Sequence, residues 1–321
     1  MTELLHPSDK GSGNEFERCV LFENTGLTVG QKAKRFMSGL STVKKWAGFG
    51  GSSLGFYIPY RYAESIQTQN ESDTILWLKK KWDLRIEEFQ VWIDRANSHN
   101  QRFDDFKVAH PRNPNQPRFN QDWFPGLDGA MAYTMVHHYK PKNIIEVGSG
   151  HSTRFMAQAV QDAQLETHIH SIDPVPRREI DQICSQITRS TVEKVDPKVF
   201  TCLQTGDILF IDASHIFMSG TDLDYLVTEV LPFLADGVIV HVHDIFLPNG
   251  YPEDWKWRSY NEQQALRALI TGGNRYEMLF ANAYMRRYHS DRLEKLNFSL
   301  KAKAHEGSIW FEIQGQPLAV H

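Results

Sequence analysis

Apolar residues follow two different patterns along this chain of 321 residues. Up to about residue 117 they recur every three or four positions, which is typical of helices with one apolar face. Beyond that point, short apolar runs alternate with helical patterns, which predicts strands joined by helices in a mostly parallel sheet. The sequence therefore predicts an α/β fold with helices on both faces of the sheet and a helical N-terminal extension.

Two amphipathic helices are predicted in the N-terminal part. The helix over residues 31–46 has an apolar face and lysines elsewhere. We favour docking of that face on a core; the alternative is a helix that lies on an anionic membrane or a partner surface. The helix over residues 73–96 needs a partner, which is either the core of the same chain or the same helix in a homodimer. The apolar face of the first helix consists of Phe36, Met37, Leu40, Val43 and Trp46.

A proline-rich stretch separates the two patterns. Three prolines within residues 109–117 are incompatible with a regular helix or a central strand. We therefore predict a flexible tail over residues 1–30, a helical region over 31–115 that caps the site or dimerises, and an α/β domain over 116–321.

Seven strands are predicted in the α/β domain. A helix that begins near Leu127 and ends at Lys140 precedes the first of them. Strands of a parallel sheet present their carboxyl ends at one edge, where ligands bind. The first strand begins at Asn143, and the others lie over 168–172, 191–195, 207–212, 237–242, 276–281 and 308–313.

The first strand leads into the stretch around which the domain is organised. Two glycines, Gly148 and Gly150, let the backbone turn sharply and approach a ligand. Asp173 ends the second strand, where an acid can bind the two hydroxyls of a ribose. A dinucleotide site would have a third glycine at the position of Thr153, and the carboxylate of Glu146 suits a cationic ligand such as an amino group or a sulfonium. The stretch therefore predicts a nucleoside that carries a positive charge.

Composition narrows the class of protein. The formal net charge of −4 gives no basic field that would favour nucleic acid as the partner. Three scattered cysteines do not form a disulfide framework, so we expect a reducing, cytoplasmic location. No apolar run is long enough to predict a membrane span, and the N-terminus has no apolar core of a signal peptide.

The motifs taken together resemble class I S-adenosylmethionine-dependent methyltransferases, most closely the bacterial catechol O-methyltransferase-like branch. The likeness covers about residues 117 to 315 and includes I-I-E-V-G-S-G-H-S-T, G-D-I-L-F-I-D-A-S-H, H-V-H-D-I-F-L-P-N-G-Y-P and S-I-W-F-E-I. It implies a Rossmann-like sheet of seven strands with the last one antiparallel, and S-adenosylmethionine as the cofactor. The predicted cofactor-binding residues are Glu146, Gly148, Ser149, Gly150, Ser152, Thr153, Asp173 and Asp212.

The ends of the fourth and fifth strands carry the candidates for acceptor chemistry. The family resemblance implies a divalent cation held by an Asp after strand four and an Asp-Asn pair after strand five, but Ile245 stands at the asparagine position. Nearby histidines suit zinc, iron or manganese, whereas magnesium prefers oxygen ligands. A histidine is also the natural general base, because imidazole titrates near neutral pH. The predicted metal ligands are Asp212, His241, His243 and Asp244, and the predicted catalytic residues are His215, His243 and Asp212.

The loop over residues 246–260 follows this cluster and is rich in prolines and aromatic residues. We predict that it is a lid, whose aromatic side chains either stack on a sugar or aromatic acceptor or hold the loop closed. Two classes of function fit the sequence. One is methyl transfer to an oxygen of a small molecule or glycan, and the other is a metal-dependent oxidoreductase or hydroxylase, or a nucleoside-binding module. The predicted lid residues are Tyr251, Trp255, Trp257 and Asn261.

Overall fold

The computed structural model of the chain describes residues 28–46, 55–56, 58, 60–62, 65–67, 69–107, 113–176, 179–296 and 305–318. The tail predicted over residues 1–30 lies outside the described residues except for its last three positions. The chain divides into two compact units, of which the first contains the residues up to Gln67 together with Asp254–Arg258, and the second contains the rest. The boundaries that the sequence predicts near residues 30 and 115 stay predictions.

The described helices and strands are as follows. The α-helices are α1 Val29–Trp46, α2 Leu76–Asp83, α3 Ile86–Asn97, α4 Asn100–Asp104, α5 Gly126–Tyr139, α6 His151–Asp162, α7 Asp222–Tyr225, α8 Glu262–Thr271 and α9 Asn282–Tyr288. Helix α7 continues into a π-helical turn at Leu226–Val230, and short 3₁₀ helices lie at Asp105–Lys107, Val192–Lys194, Pro197–Cys202, Leu231–Phe233, Glu253–Arg258 and Ser290–Leu293. The strands are β1 Asn143–Val147, β2 His168–Ile172, β3 Gln186–Thr188, β4 Ile208–Ile211, β5 Ile239–His243, β6 Tyr276–Ala281 and β7 Ser308–Ile313.

All seven strands form one sheet in the order β3-β2-β1-β4-β5-β7-β6. Strands β1 to β5 pair in parallel, and β7 lies antiparallel between β5 and β6. This confirms the predicted fold, including the antiparallel last strand. Since β1 is flanked by β2 and β4, and β4 by β5, the carboxyl ends of these four strands are neighbours.

Helix α5 joins the sheet to the N-terminal helices. It is buried over Gly126–Val136, because α6 and α3 both pack on it. A Cβ atom on Gly129 would lie 2.5 Å from the Phe155 ring, so α5 and α6 approach too closely for a larger residue there. The first turn of α5 carries Asp128, fully buried, towards the ends of the strands.

The single helix predicted over residues 73–96 is wrong. The structure has two helices, α2 and α3, because the chain turns at Leu84 and Arg85 between them. Their buried side chains pack within the same chain: the Phe89 ring lies 5.8 Å from that of Phe280 on β6, and the Trp82 ring 5.3 Å from that of Tyr284. The partner of these helices is therefore the chain's own core.

One further prediction needs correction. The third strand lies over Gln186–Thr188, not 191–195, because it is a short edge strand that needs no apolar run of its own. The docking of α1 on a core stays a prediction; Phe36 and Met37 on its apolar face are about 60% exposed. None of the described helices is both long and apolar enough to cross a bilayer.

Candidate active site

The turn after β1 requires glycine at position 148. Gly148 has a φ of +76°, and a Cβ atom there would lie 2.0 Å from the backbone oxygen of Asp212 at the end of β4. Both the backbone conformation and the close approach of two strand ends therefore exclude a side chain. The amide of Gly148 donates to the carbonyl of Ile172 on the other side, which fixes the turn between β2 and β4.

The carboxyl group of Glu146 fixes this turn from the buried side. It is fully buried, and its two oxygens accept hydrogen bonds from the hydroxyls of Ser152 and Thr153, each at 2.6 Å. Thr153 Oγ1 also accepts from the amide of Gly150 at 3.0 Å. The position where a dinucleotide motif has its third glycine is thus used to close the turn. Burial raises the pKa of Glu146 to about 8, although the two hydroxyl donors oppose the shift.

Asp173 lies at the end of β2, beside the same turn. Its Oδ2 accepts from the amide and the hydroxyl of Ser149, at 2.8 and 2.9 Å, and its Oδ1 accepts from the amide of Val175 at 2.8 Å. A carboxylate has about four lone-pair positions. Asp173 therefore keeps capacity for a hydroxyl of a ligand while it anchors the turn.

A cavity of about 190 Å³ opens above the turn. Typical pockets for whole ligands measure about 300–1,000 Å³, so this cavity accommodates part of a nucleoside cofactor. Two aromatic residues of the segment before α5, which the sequence reasoning did not identify as site residues, form one wall. The lining residues are Trp123, Phe124, Ser149, Gly150, His151, Ser152 and Asp212.

Two acids and two histidines meet at the ends of β4 and β5. Asp212 Oδ1 lies 3.4 Å from His215 Nε2 and 3.3 Å from His243 Nδ1. Asp244 reaches the same two nitrogens, with Oδ2 at 3.3 Å from His215 and Oδ1 at 3.5 Å from His243. The structure therefore brings together four of the predicted catalytic and metal-binding residues.

A second layer of acids supports the two imidazoles. Glu262, at the start of α8, lies with Oε2 2.7 Å from His215 Nδ1, and Asp128 of α5 lies with Oδ2 3.7 Å from His243 Nε2. Asn282 donates to Asp128 at 2.7 Å. Neither acid is among the residues predicted for the site; an acid in the first turn of an otherwise buried helix is the signal that identifies Asp128.

Charge decides the protonation of this cluster. Burial lowers the pKa of His215, but Asp212, Glu262 and Asp244 outweigh it and raise the pKa well above the usual value. His243 behaves in the same way between Asp244, Asp212 and Asp128. Burial raises the pKa of Asp212, but the two histidines outweigh it and hold that pKa low. These opposite shifts favour imidazolium groups beside an ionised Asp212.

The backbone is strained at the cluster. His215 and Asp244 have φ values of +63° and +58°, which residues other than glycine rarely adopt. Asn261 helps to hold the first of these: its amide donates to the His215 carbonyl at 3.1 Å, and its side chain bonds both backbone groups of Phe217. Strain of this kind is concentrated at functional sites.

His241 lies outside the cluster. It is fully buried beneath His243, with its ring 3.7 Å from that of Phe210 and 4.6 Å from that of Trp310. Burial lowers its pKa well below the usual value, so it is a neutral packing residue. The structure does not bring it to the other predicted metal ligands.

The loop predicted to be a lid has two different halves. Residues 246–250 are buried, and Asn249 donates to the backbone of Glu71 and Asp73. Tyr251 packs on Phe246, and its hydroxyl accepts from the amide of Gln263. Asp254–Arg258 belongs to the other compact unit, where the Arg258 guanidinium lies over the Trp255 and Trp257 rings at 4.0 and 5.6 Å. Tyr251 therefore holds the first half of the loop, and the role of the loop as a lid stays a prediction.

The sheet order, the glycine turn and the acid on the neighbouring strand define the class as an α/β enzyme that binds a nucleoside cofactor at the carboxyl edge. Residues 145–245 match the family described as "Methyltransferase domain". The match covers about a third of the chain and shows a methyltransferase domain in that segment.

Two solved structures are similar to this chain at low identity. The O-methyltransferase from Bacillus cereus in complex with S-adenosylhomocysteine is 13% identical, with 69% of this chain and 100% of that chain covered and a TM-score of 0.41. A methyltransferase from Podospora anserina with bound S-adenosylhomocysteine is 16% identical, with 68% of this chain and 88% of that chain covered and a TM-score of 0.38. A search of curated proteins gives no match. The family match therefore carries the assignment.

Proposed function

We propose that this enzyme transfers the methyl group of S-adenosylmethionine to an oxygen atom of a small-molecule or glycan acceptor. The observation that carries the proposal is the position of Asp212. Its side chain lines the cavity beside the glycine turn, and its carboxylate is shared by His215 and His243. One group therefore faces both the expected cofactor position and the charged cluster.

Asp173 and the glycine turn bind the cofactor in this proposal. Gly148, Ser149 and Gly150 present backbone to the cavity, and Asp173 accepts from the ribose hydroxyls, with Ser149 Oγ giving way to one of them. Glu146 holds the turn instead of touching the cofactor, because both its oxygens are taken by Ser152 and Thr153.

Asp212 accepts the proton of the acceptor hydroxyl. Its side chain is 30% exposed, compared with 7% for His215 and 4% for His243, so it is the accessible member of the cluster. The acceptor oxygen takes the methyl group as its O–H bond breaks, the proton passes to Asp212, and the sulfonium becomes a neutral thioether. Protonated histidines make Asp212 a weak base, which is sufficient for an acidic phenol or enol but not for a sugar hydroxyl.

A divalent ion is the second element of the proposal, and a glycan acceptor would need it. Within the described ranges no group of three or more His, Cys, Asp or Glu side chains forms a preformed metal site. The donor types nevertheless suit manganese, iron or zinc better than magnesium. Separations of 3.3 to 3.5 Å between the imidazole nitrogens and the carboxylates are long for charge-assisted hydrogen bonds.

The separations of 3.3 to 3.5 Å between imidazole nitrogens and carboxylate oxygens are the observation that supports a divalent ion. Donor atoms that would share one small ion lie a few ångströms from one another, as these donor atoms do. Asp212, Asp244, His215 and His243 would hold the ion, with Glu262 and Asp128 orienting the two imidazoles. A bound ion would supply Lewis acidity that lowers the pKa of the acceptor hydroxyl.

Calorimetry with S-adenosylhomocysteine tests the cofactor site. We expect binding by the wild-type chain, no binding of NAD, and a loss of affinity of about tenfold or more in Asp173→Ala. The control is Asp181→Ala, an exposed acid that pairs with Arg189. Binding of NAD in place of S-adenosylhomocysteine, or full affinity in Asp173→Ala, would contradict the proposal.

Elemental analysis and a chelator test the metal. We expect one manganese, iron or zinc ion per purified chain and a smaller amount in His243→Gln. Methyl transfer that survives a strong chelator, together with a metal-free wild-type protein, would remove the ion and leave Asp212 as the only base. In that case the acceptor is an acidic hydroxyl.

Location and assembly are part of the same proposal. The described cysteines, Cys184 and Cys202, are free thiols, which is the reason to retain a cytoplasmic location. The apolar residues of α2 and α3 that would form a homodimer are covered in part by the chain's own core. Sedimentation of the purified protein measures the oligomeric state directly.

A further inference from the structure

In helix α1 the apolar face is exposed and the polar face is partly covered, which is the reverse of an ordinary amphipathic helix. Its apolar side chains are exposed, at 58% for Phe36, 61% for Met37, 39% for Leu40 and 47% for Val43. Its polar side chain Thr42, on the opposite face, is only 9% exposed. Water is an unfavourable environment for such an apolar stripe, which implies that another surface covers it when the protein functions.

The polar face is covered from within the same compact unit. A Cβ atom on Gly55 would lie 3.5 Å from Thr42 Oγ1 and 3.9 Å from Ser38 Oγ, so the backbone at Gly55 lies against this face. The polar face of the helix is therefore the face that packs within its own unit, and the apolar face stays exposed.

The charge of α1 identifies what the apolar face meets. The helix carries five cations and no acidic residue, in a chain whose formal net charge is −4. Within the described residues none of the five forms an ion pair with a carboxylate. A second copy of the helix would bring like charges together, whereas an anionic surface attracts them. The five cations are Lys32, Lys34, Arg35, Lys44 and Lys45.

A second segment of the same unit has matching chemistry. Tyr60 and Tyr62 are more than half exposed, and their rings make an edge contact at 5.9 Å. The Arg61 guanidinium lies 5.4 Å from the centre of the Tyr62 ring. Tyrosine and arginine are frequent at the boundary between lipid and water, where one end of the side chain is apolar and the other is solvated.

We propose that α1 binds the headgroup layer of an anionic lipid membrane. The helix lies in the plane of the surface, with Phe36, Met37, Leu40 and Val43 inserted among the lipid chains and the cations at the headgroups. It holds the protein at the surface without crossing the bilayer, in agreement with its polar composition.

Vesicle flotation of the full-length chain tests the proposal. We expect binding to phosphatidylcholine vesicles that contain phosphatidylglycerol, loss of this binding at high salt, and little binding to phosphatidylcholine alone. Removal of Lys34 and Lys45 in the double variant Lys34→Gln, Lys45→Gln is expected to weaken partitioning about fivefold per cation. The double variant Phe36→Ser, Leu40→Ser is expected to weaken it about tenfold or more.

Matched controls lie outside the helix. Leu76→Ser with Leu84→Ser removes two exposed leucines, and Lys194→Gln with Lys198→Gln removes two exposed lysines. Both control variants are expected to bind vesicles like the wild type, and circular dichroism checks that every variant is folded. Equal binding to neutral vesicles, equal loss in the controls, or no binding at all would overturn the proposal. So would a change of oligomeric state in the Phe36→Ser, Leu40→Ser variant, since that would make the face an interface between copies.

Discussion

The acidic side chains in the two halves of the active-site edge have different hydrogen-bonding partners. One half lies at the ends of β1 and β2, and the other at the ends of β4 and β5. At the ends of β1 and β2, Glu146 and Asp173 accept from hydroxyl and amide groups at 2.6 to 2.9 Å. At the ends of β4 and β5, Asp212 and Asp244 face protonated imidazoles at 3.3 to 3.5 Å. The first half has close, neutral donors and the second has charges at longer range.

This difference separates a preformed site from an adjustable one. Neutral donors in the same chain fix the glycine turn before any ligand binds, so only the Ser149 hydroxyl has to move when the cofactor binds. The charged half balances four acids against two imidazolium groups, and a bound ion or acceptor changes that balance. We therefore expect substitutions in the first half to alter cofactor affinity, and substitutions in the second half to leave it intact.

The largest effect is expected at the point where the two halves touch. Gly148→Ala places a Cβ atom against the Asp212 carbonyl and imposes a φ of +76° on alanine. Together the overpacking and the backbone strain are expected to lower the free energy of unfolding by roughly 4 kcal/mol and to abolish binding of S-adenosylhomocysteine. Denaturant unfolding and calorimetry measure the two effects.

Gly220→Ala is the control that separates strain from collision. Gly220 has a φ of +81°, but a Cβ atom there meets no heavy atom within 4 Å. Its substitution is expected to cost about 1 kcal/mol, the strain alone. Equal losses in the two variants would show that the strand ends do not approach as closely as described.

The second prediction concerns the charged half alone. Glu262→Ala removes the buried partner of His215 and is expected to lower the free energy of unfolding by about 3 kcal/mol. Glu262→Gln keeps a hydrogen-bond acceptor and is expected to cost about half as much. Both variants should retain wild-type affinity for S-adenosylhomocysteine, as should the exposed control Glu229→Gln. A parallel loss of cofactor affinity would mean that the two halves are coupled.

A pH series examines the neutral half. The pKa of Glu146 is about 8 in the folded chain and near 4.5 when unfolded, so the folded state holds its proton more tightly. Its contribution to stability is therefore complete below about pH 4.5 and is lost as the pH rises towards 8. Glu146→Gln should remove up to about 1.4 kcal/mol per pH unit from the slope of unfolding free energy over this window.

Glu166→Gln, an exposed acid beyond α6, is the control for the pH series and should reproduce the wild-type slope. A Glu146→Gln slope identical to that of the wild type would show that Glu146 is ionised in the folded protein.

The residues of the cofactor half could be predicted from the sequence because they lie close together along the chain. Glu146, Gly148 and Thr153 lie on one strand–turn–helix segment, whose spacing predicts both the fold and the turn. Asp173 follows at the end of the next strand. The parallel sheet was predicted from the alternation of apolar runs and helical patterns, whereas the reversed last strand was implied by the family resemblance.

The acceptor half and the N-terminal helices were less accessible because their partners are distant along the chain. Asp128 and Glu262 lie on different helices from either histidine, and helical periodicity gives the face of a residue but not what covers it. The same gap applies to α1, whose apolar stripe was predicted, while the sequence left a core, a membrane and a partner surface open as what covers it. His241 shows the reverse, since a strand-end histidine next to a charged cluster is used for packing.

The smallest effect tests how far the preformed half is fixed by a single hydroxyl. Ser149→Ala removes the 2.9 Å bond from Oγ to Asp173 but keeps the bond from the amide. A neutral donor to a carboxylate contributes about 1 kcal/mol. Because this hydroxyl gives way to a ribose hydroxyl in the proposed complex, calorimetry should show that its removal raises the affinity for S-adenosylhomocysteine, by up to about fivefold. A loss of affinity would instead mean that the hydroxyl orients Asp173. Unchanged affinity would mean that the amide of Ser149 suffices, and that Asp173 is positioned by backbone alone.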